Sequence, residues 1–274
     1  MPMKYGLIAG NGRFPILALE AARSLGIEVV AIGIKEEAPA EIETLAAKAY
    51  WISLGELSKL IEILKSEGVS EVMMCGQVKH VKIFSSIVPD WRLAKLLMSL
   101  EAKNTDALIG GVAKILADEG ITLTDSTLLL KDLLAPEGVL TRRKPSSDEE
   151  RDITYGRRIA AALSEHDIGQ SVAIAERACV AVEAMEGTDA MLRRAASLVA
   201  SSEKTGGKAL RLVKGSRRRQ HLLFDVPVVG PQTIDVMRET GTTALAIDAG
   251  RTLLLDRDEL LSRANAAGIT VIAE

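Results

Sequence analysis

The sequence predicts a two-domain α/β protein, and three observations carry that prediction. The chain opens as strand, glycine-rich turn, helix and strand, the pattern of a Rossmann-like, doubly wound parallel sheet. Short apolar strands and helices then follow one another through the 274 residues, enough chain for one large or two ordinary domains. A stretch of linker composition at 136–147, rich in Gly, Pro, Ser and basic residues, separates an N-terminal Rossmann-like domain (1–135) from a C-terminal mixed α/β catalytic domain (148–274).

Residues 5–9 read as an apolar strand and Gly10-Asn-Gly-Arg-Phe-Pro15 as the turn after it. A helix runs over 15–25, its first turn suited to the fixed φ of Pro15. Gly26 ends it before a strand at 27–32. The dinucleotide fingerprint G-x-G-x-x-G has Pro15 at its third glycine, so the match is partial. Gly10, Asn11 and Gly12 either present backbone N–H groups to a phosphate or sugar or make a tight turn. Strands are expected at 50–53, 72–75 and 121–123, and helices at 54–67, 89–103, 105–119 and, last and apolar, 128–134. Open α/β sheets bind ligands at the carboxyl ends of their strands. Cys75, Gly76, Gln77, Thr124 and Asp125 are therefore substrate-binding candidates.

The second domain starts with a helix at 148–166. Strands at 170–175 and 179–183 pair as a hairpin around Glu176-Arg177, and a helix follows over 188–201. Strands are expected at 209–213, 221–224, 244–247, 252–255 and 269–272. Pro231 starts one further helix, and Asp256-Arg-Asp-Glu259 reads as a capping box opening another.

Three carboxylates, Glu183, Glu186 and Asp189, crowd the corner between the strand 179–183 and the next helix. Gly187 breaks the strand, Thr188 is the expected N-cap, and Asp189 falls in the first turn, where the helix dipole favours a negative charge. Arg193 and Arg194 follow one turn later. This corner suits a metal–phosphate site, or is simply a capped helix with solvated acids. Asp225 leaves an apolar strand and precedes Val226, which Pro227 forces extended. It is the first choice for a catalytic or metal-binding carboxylate; the alternative is an Asp capping a turn. Carboxylates without histidine or cysteine partners suit Mg²⁺, with Mn²⁺ as its substitute. The metal candidates are thus Glu183, Glu186, Asp189 and Asp225, with Arg193 and Arg194 for phosphate charge. Arg217, Arg218 and Arg219 are further phosphate candidates, a solvated turn, or a contact for anionic lipid heads.

Aromatic residues make up 3% of the chain and the formal net charge is −3, which argues against nucleic acid as a partner. Two cysteines and three histidines lack the spacing of a disulfide framework or a zinc site. There is no Walker A loop and no evident Ser-His-Asp set. The N-terminus lacks the apolar region of a signal peptide, and no uncharged apolar run approaches the roughly 20 residues that span a bilayer. A cytoplasmic protein is expected, with peripheral contact at the cytoplasmic face of the inner membrane left open.

Several motifs, in order along the whole chain, resemble the LpxI family. They are Gly6-Leu-Ile-Ala-Gly-Asn-Gly-Arg-Phe-Pro15, Arg142-Arg-Lys-Pro145, Asp167-Ile-Gly-Gln170, Val182-Glu-Ala-Met-Glu-Gly-Thr-Asp189, Phe224-Asp-Val-Pro227 with Gly230-Pro231, and Ala249-Gly-Arg-Thr-Leu-Leu-Leu-Asp256. They add Gln170, Gly187 and Thr188 to the substrate-binding candidates. The chain departs from the family pattern at His80, where the family often has a basic residue. The resemblance implies a UDP-2,3-diacylglucosamine pyrophosphatase of lipid A biosynthesis, with substrate held between two domains. It implies Mg²⁺-dependent hydrolysis to lipid X and UMP, water attacking the glucosamine-side phosphorus, and Asp225 in the place of the family's essential aspartate. A homodimer is compatible with this reading. The alternative from another class is a nucleotide-sugar or dinucleotide binding protein without hydrolase activity.

Overall fold

The computed structural model describes residues 4–76, 78, 88–100, 105–166, 168–201, 208–216 and 226–274. The chain divides into two compact units, the second starting at Asp132. Both are α/β, as expected.

The first unit runs β1 (Lys4–Ala9), α1 (Phe14–Ser24), β2 (Glu28–Ile34), α2 (Ile42–Leu45), β3 (Lys48–Ile52), α3 (Leu57–Ser66), β4 (Glu71–Cys75), α4 (Trp91–Ser99), α5 (Thr105–Asp118) and β5 (Thr122–Leu123). Its five strands are parallel in the order β3-β2-β1-β4-β5. β1 and β2 are apolar almost without interruption because helices cover such a sheet on both faces. Leu60, Leu64, Leu116, Val30, Ile32 and Val72 share one core. After β3 the chain crosses to the other side of β1, so the topological switch point lies between β1 and β4.

Two local expectations change. Pro15 is the second helical residue of α1, not the first. The helix expected at 128–134 is a run of turns ending in a 3₁₀ segment, Lys131–Leu133. The Asp125 carboxylate accepts from the Thr127 N–H and hydroxyl, both at 2.7 Å. That local bond offers the backbone a turn in place of a helix.

The second unit runs β6 (Gly138–Val139), α6 (Ser147–Glu165), β7 (Ser171–Ala175), β8 (Ala178–Val182), α7 (Thr188–Ala200), β9 (Leu210–Lys214), β10 (Val228–Val229), α8 (Pro231–Glu239), β11 (Thr242–Ile247), β12 (Leu253–Leu254), α9 (Arg257–Ala266) and β13 (Thr270–Ala273). Its main sheet is mixed, in the order β6-β13-β11-β9-β7-β8. β9, β11 and β13 are parallel, and β6 and β7 run against them. α6 packs Ile153 and Ala160 on one face, against Val172, Ile174 and Val213. Met191, Ile234, Met237 and Leu260, from α7, α8 and α9, pack with Leu212, Leu245 and Val271.

Residues 136–147, linker-like in composition, are built into this unit. β6 pairs with β13, and Val271 N–H donates to the Thr141 hydroxyl at 3.0 Å. Arg143 holds Glu149 with two N–H groups, at 2.7 and 2.9 Å, and donates to the carbonyls of Gly268 and Thr243. Arg143, one of the basic residues in the linker-like stretch, thus ties it to the second unit. A reciprocal capping box does occur, at Ser146 and Glu149 of α6. The one expected at Asp256 does not form: Asp256 precedes α9 in the left-handed region (φ 45°) and makes no side-chain cap bond. The hairpin around Glu176-Arg177 is present. Both residues have positive φ, and the Asp152 carboxylate accepts from their N–H groups at 3.2 and 2.6 Å.

Candidate active site

In the first unit the described candidates gather at the carboxyl ends of parallel strands; in the second they gather where β8 ends beside the start of the antiparallel β7. In the first, Gly10, Asn11 and Gly12 form the turn after β1. Gly10 N–H donates to the Cys75 carbonyl at 2.8 Å, drawing the ends of β1 and β4 together. Gly76 makes that approach feasible. It has φ 95°, and a Cβ there would lie 2.6 Å from the Asn11 carbonyl oxygen. Cys75 is buried, its thiol points to the Ser126 carbonyl at 3.9 Å, and burial pushes its pKa up. Its contribution at the edge is therefore backbone. Thr124 N–H and hydroxyl both donate to Val72 O, at 2.8 and 3.3 Å, and Asp125 is bonded within its own turn. Gln77 lies outside the described residues.

In the second unit β8 ends beside the start of β7 and the end of β9. Glu183 follows β8 directly, and its N–H donates to Ser171 O at 2.9 Å. The segment 168–170 lies flush on it: a Cβ on Gly169 would be 2.0 Å from Glu183 O. This contact accounts for glycine in the Asp167-Ile-Gly-Gln170 motif, whose Asp167 is outside the described residues. Thr188 donates its hydroxyl proton to Glu183 Oε1 at 2.8 Å. The same hydroxyl lies 3.2 Å from Ser171 Oγ and accepts from Lys214 Nζ at 3.4 Å. Lys214 also donates to Val228 O at 3.2 Å. Glu183 Oε2 and Gln170 Oε1 are buried and find no hydrogen-bond partner among the described residues.

The expected roles at this corner are redistributed. The N-cap of α7 is Gly187 (φ 84°), and Thr188 is the first helical residue, its hydroxyl given to the cluster. Glu186 accepts from Ala184 N–H at 3.0 Å and from Arg194 at 2.6 Å. Its own backbone N–H, followed by Arg194, holds its carboxyl below the usual carboxylate range. Arg194 also donates to Val182 O at 2.9 Å. Asp189 accepts from Gln232 at 2.9 Å. Arg193 turns outward to an exposed pair with Glu239, at 3.1 Å. The three acids of the corner thus have three different neighbours. Among the described residues no group of three His, Cys, Asp or Glu side chains is placed to hold a metal ion. Asp225 and Arg217, Arg218 and Arg219 lie outside the described residues.

Sequence reasoning missed Lys214 and Ser171. The available signal was a lysine closing the strand Leu210–Lys214 and a serine opening Ser171–Ala175, both at the edge where ligands bind. Beside them, the ends of β9 and β11 and the face of α6 line a cavity of about 360 Å³. There Asp248 accepts from Arg157 at 2.7 Å and from Ser216 N–H and hydroxyl at 2.5 and 2.6 Å. No helix among the described residues is long and apolar enough to cross a membrane.

The family models described as the LpxI N-terminal domain and the LpxI C-terminal domain match residues 4–133 and 136–272. The UDP-2,3-diacylglucosamine pyrophosphatase LpxI of Caulobacter vibrioides is 30% identical over 276 residues, covering 98% of this chain and 96% of that protein. Two solved structures are distant likenesses. The biotin carboxylase domain of Hydrogenobacter thermophilus 2-oxoglutarate carboxylase is 15% identical over 77% of this chain and 44% of that one, with a TM-score of 0.29. Rhizobium etli pyruvate carboxylase is 16% identical over 70% and 15%, with a TM-score of 0.30. This chain spans less than half the length of either carboxylase chain, and neither likeness bears on its function.

Proposed function

This chain belongs to the LpxI family, and on that premise we propose that it hydrolyses the pyrophosphate bond of UDP-2,3-diacylglucosamine in lipid A biosynthesis. The products are UMP and 2,3-diacylglucosamine 1-phosphate (lipid X). The observation that carries the proposal is the near-complete alignment with a pyrophosphatase at 30% identity.

The cluster at the ends of β7, β8 and β9 supports the chemistry. Hydrolysis of a diphosphate needs neutralised phosphate charge and an oriented water. Lys214 supplies a cation at the edge, held by Thr188 and Val228. Glu183 is fixed through one oxygen by Thr188, which leaves its buried Oε2 as an acceptor. Asp225, which matches the family's essential aspartate, orients the water that attacks the glucosamine-side phosphorus.

The donor set fits a hard cation in part. Glu183 Oε2 and Gln170 Oε1 are oxygen ligands of the kind Mg²⁺ takes and are the described residues that would hold it; Asp225 remains a metal candidate on its motif alone. Glu186 and Asp189, bonded to Arg194 and Gln232, are weaker candidates. When bound, Mg²⁺ withdraws charge from the phosphate oxygens.

UMP release from UDP-2,3-diacylglucosamine tests the proposal, measured with Mg²⁺, in excess EDTA, and with Asp225→Asn. Turnover should vanish in EDTA and return with Mg²⁺ or Mn²⁺. Asp225→Asn should lower it by roughly 100-fold or more, the scale of a lost catalytic group. Absence of UMP release from the wild type sinks the activity. Full turnover in EDTA removes the metal, and near wild-type turnover of the Asn variant removes Asp225.

A further inference from the structure

Glu37 belongs to none of the motifs above, yet it is a carboxylate with only 8% of its surface exposed, three residues past the end of β2. The N–H groups of Glu37 and Ala38 both donate to Ile34 O, at 2.9 and 2.8 Å, so the chain folds back over the strand end. Glu37 Oε2 then accepts from Asn11 Nδ2 at 3.3 Å. An acid from the β2 end is thereby bonded to the turn that follows β1. On the other side of that turn stands Gly76, in contact with the backbone of Gly10 and Asn11. A Cβ built on Gly12 (φ 96°) meets no described residue within 4 Å.

These features have a known physical use in this topology. In a parallel sheet with β1 central and β2 and β4 on either side, the glycine turn after β1 lets a phosphate approach the backbone. An acid at the end of β2 accepts hydrogen bonds from ribose hydroxyls. The third fingerprint glycine, here Pro15, serves helix–strand packing, so its loss leaves the other two functions intact.

We infer that the first unit binds a ribonucleoside 5′-phosphate, with Glu37 accepting from the ribose hydroxyls and the phosphate lying against Gly10, Asn11 and Gly12. That the nucleoside is uridine rests on the hydrolysis proposed above; the geometry asks only for a ribose and a phosphate. Glu37 is then a specificity residue. A ribose hydroxyl bonded to a buried side-chain acceptor discriminates against the deoxy analogue by about 10- to 100-fold.

The test is calorimetric titration of the full chain with UMP and with 2′-deoxy-UMP, without lipid. The wild type should bind UMP about 10-fold or more tighter than 2′-deoxy-UMP. Glu37→Ala should bring UMP down to the 2′-deoxy-UMP level while leaving 2′-deoxy-UMP within about twofold, which a merely structural role would not do. If Glu37→Ala fails to fold, Glu37→Met, which fills the same space without an oxygen acceptor, takes its place with the same expectation of lost discrimination. Equal affinity of the two nucleotides for the wild type, no UMP binding, or unchanged discrimination in the folded variant overturns the inference. No turnover enters this measurement. Nucleotide discrimination without UMP release from the lipid substrate therefore sinks the hydrolysis and keeps this site, and the reverse result does the opposite.

Discussion

At the ends of β1 and β4 the structure offers backbone: Gly10, Gly12 and Gly76 bring main chain to the edge, and Cys75 turns its side chain inward. At the ends of β7, β8 and β9 it offers side chains: Glu183, Thr188, Ser171 and Lys214 share hydrogen bonds around one hydroxyl. Backbone N–H groups hold a phosphate without changing charge or moving a proton. Carboxylate and ammonium groups can do both. On the function proposed above, the first edge is expected to serve recognition and the second polarisation.

The largest test of that division is Lys214→Met. If Lys214 stabilises phosphate charge in the transition state, UMP release should fall by about 100-fold with KM changed less than about threefold, and Lys214→Arg should recover part of the loss. Turnover within twofold of wild type would leave the second edge without its cation and break the comparison.

Gly76→Ala probes the first edge. The left-handed backbone and the contact with Asn11 O leave no room for the methyl group. A loss of about 1–3 kcal/mol is expected, read as a lower denaturant midpoint, together with a raised KM and a kcat near wild type. A variant whose kcat falls while KM holds would place chemistry at the first edge instead.

The smallest expected effect is on acid stability. Burial opposes ionisation of Glu149, but Arg143, Thr243 and Ser146 hold its pKa down at about 2. A folded pKa below the ordinary carboxylate value contributes stability that is complete above about pH 4.5 and lost as pH falls toward 2. In the first unit Glu67 is held at about 2 as well, by Tyr50, Lys48 and Lys4. Stability should therefore decline across that window, and Glu149→Gln should make the decline shallower without abolishing it. A slope identical to wild type in chemical denaturation from pH 5 to 2.5 would refute the assignment.

The β-α-β opening and the strand ends were legible because apolar runs and glycines act locally. The corner at Glu183–Asp189 was legible as a place but not as a set of partners. Arg193 and Arg194 are adjacent in sequence, yet about 100° apart around a helix. One therefore meets Glu239 on α8 and the other returns to Val182 and Glu186. Which acid an arginine finds depends on how helices pack, and a single sequence does not carry that. Lys214 and Glu37 escaped for the same reason. Each becomes notable only when a second strand end arrives beside it.

The pairing of β6 with β13 has a consequence for biosynthesis. The sheet of the first unit has all its described strands once Leu123 has been added. The second begins at Gly138, yet its edge strand has no partner until Thr270–Ala273 has been added, and Arg143 waits as long for Gly268. At ordinary elongation rates the roughly 150 residues between Leu123 and Ala273 take on the order of ten seconds. For that interval the nascent chain carries every described strand of the first sheet, while the second sheet has an open strand edge. The ribosome thus imposes an order of assembly that refolding from denaturant does not.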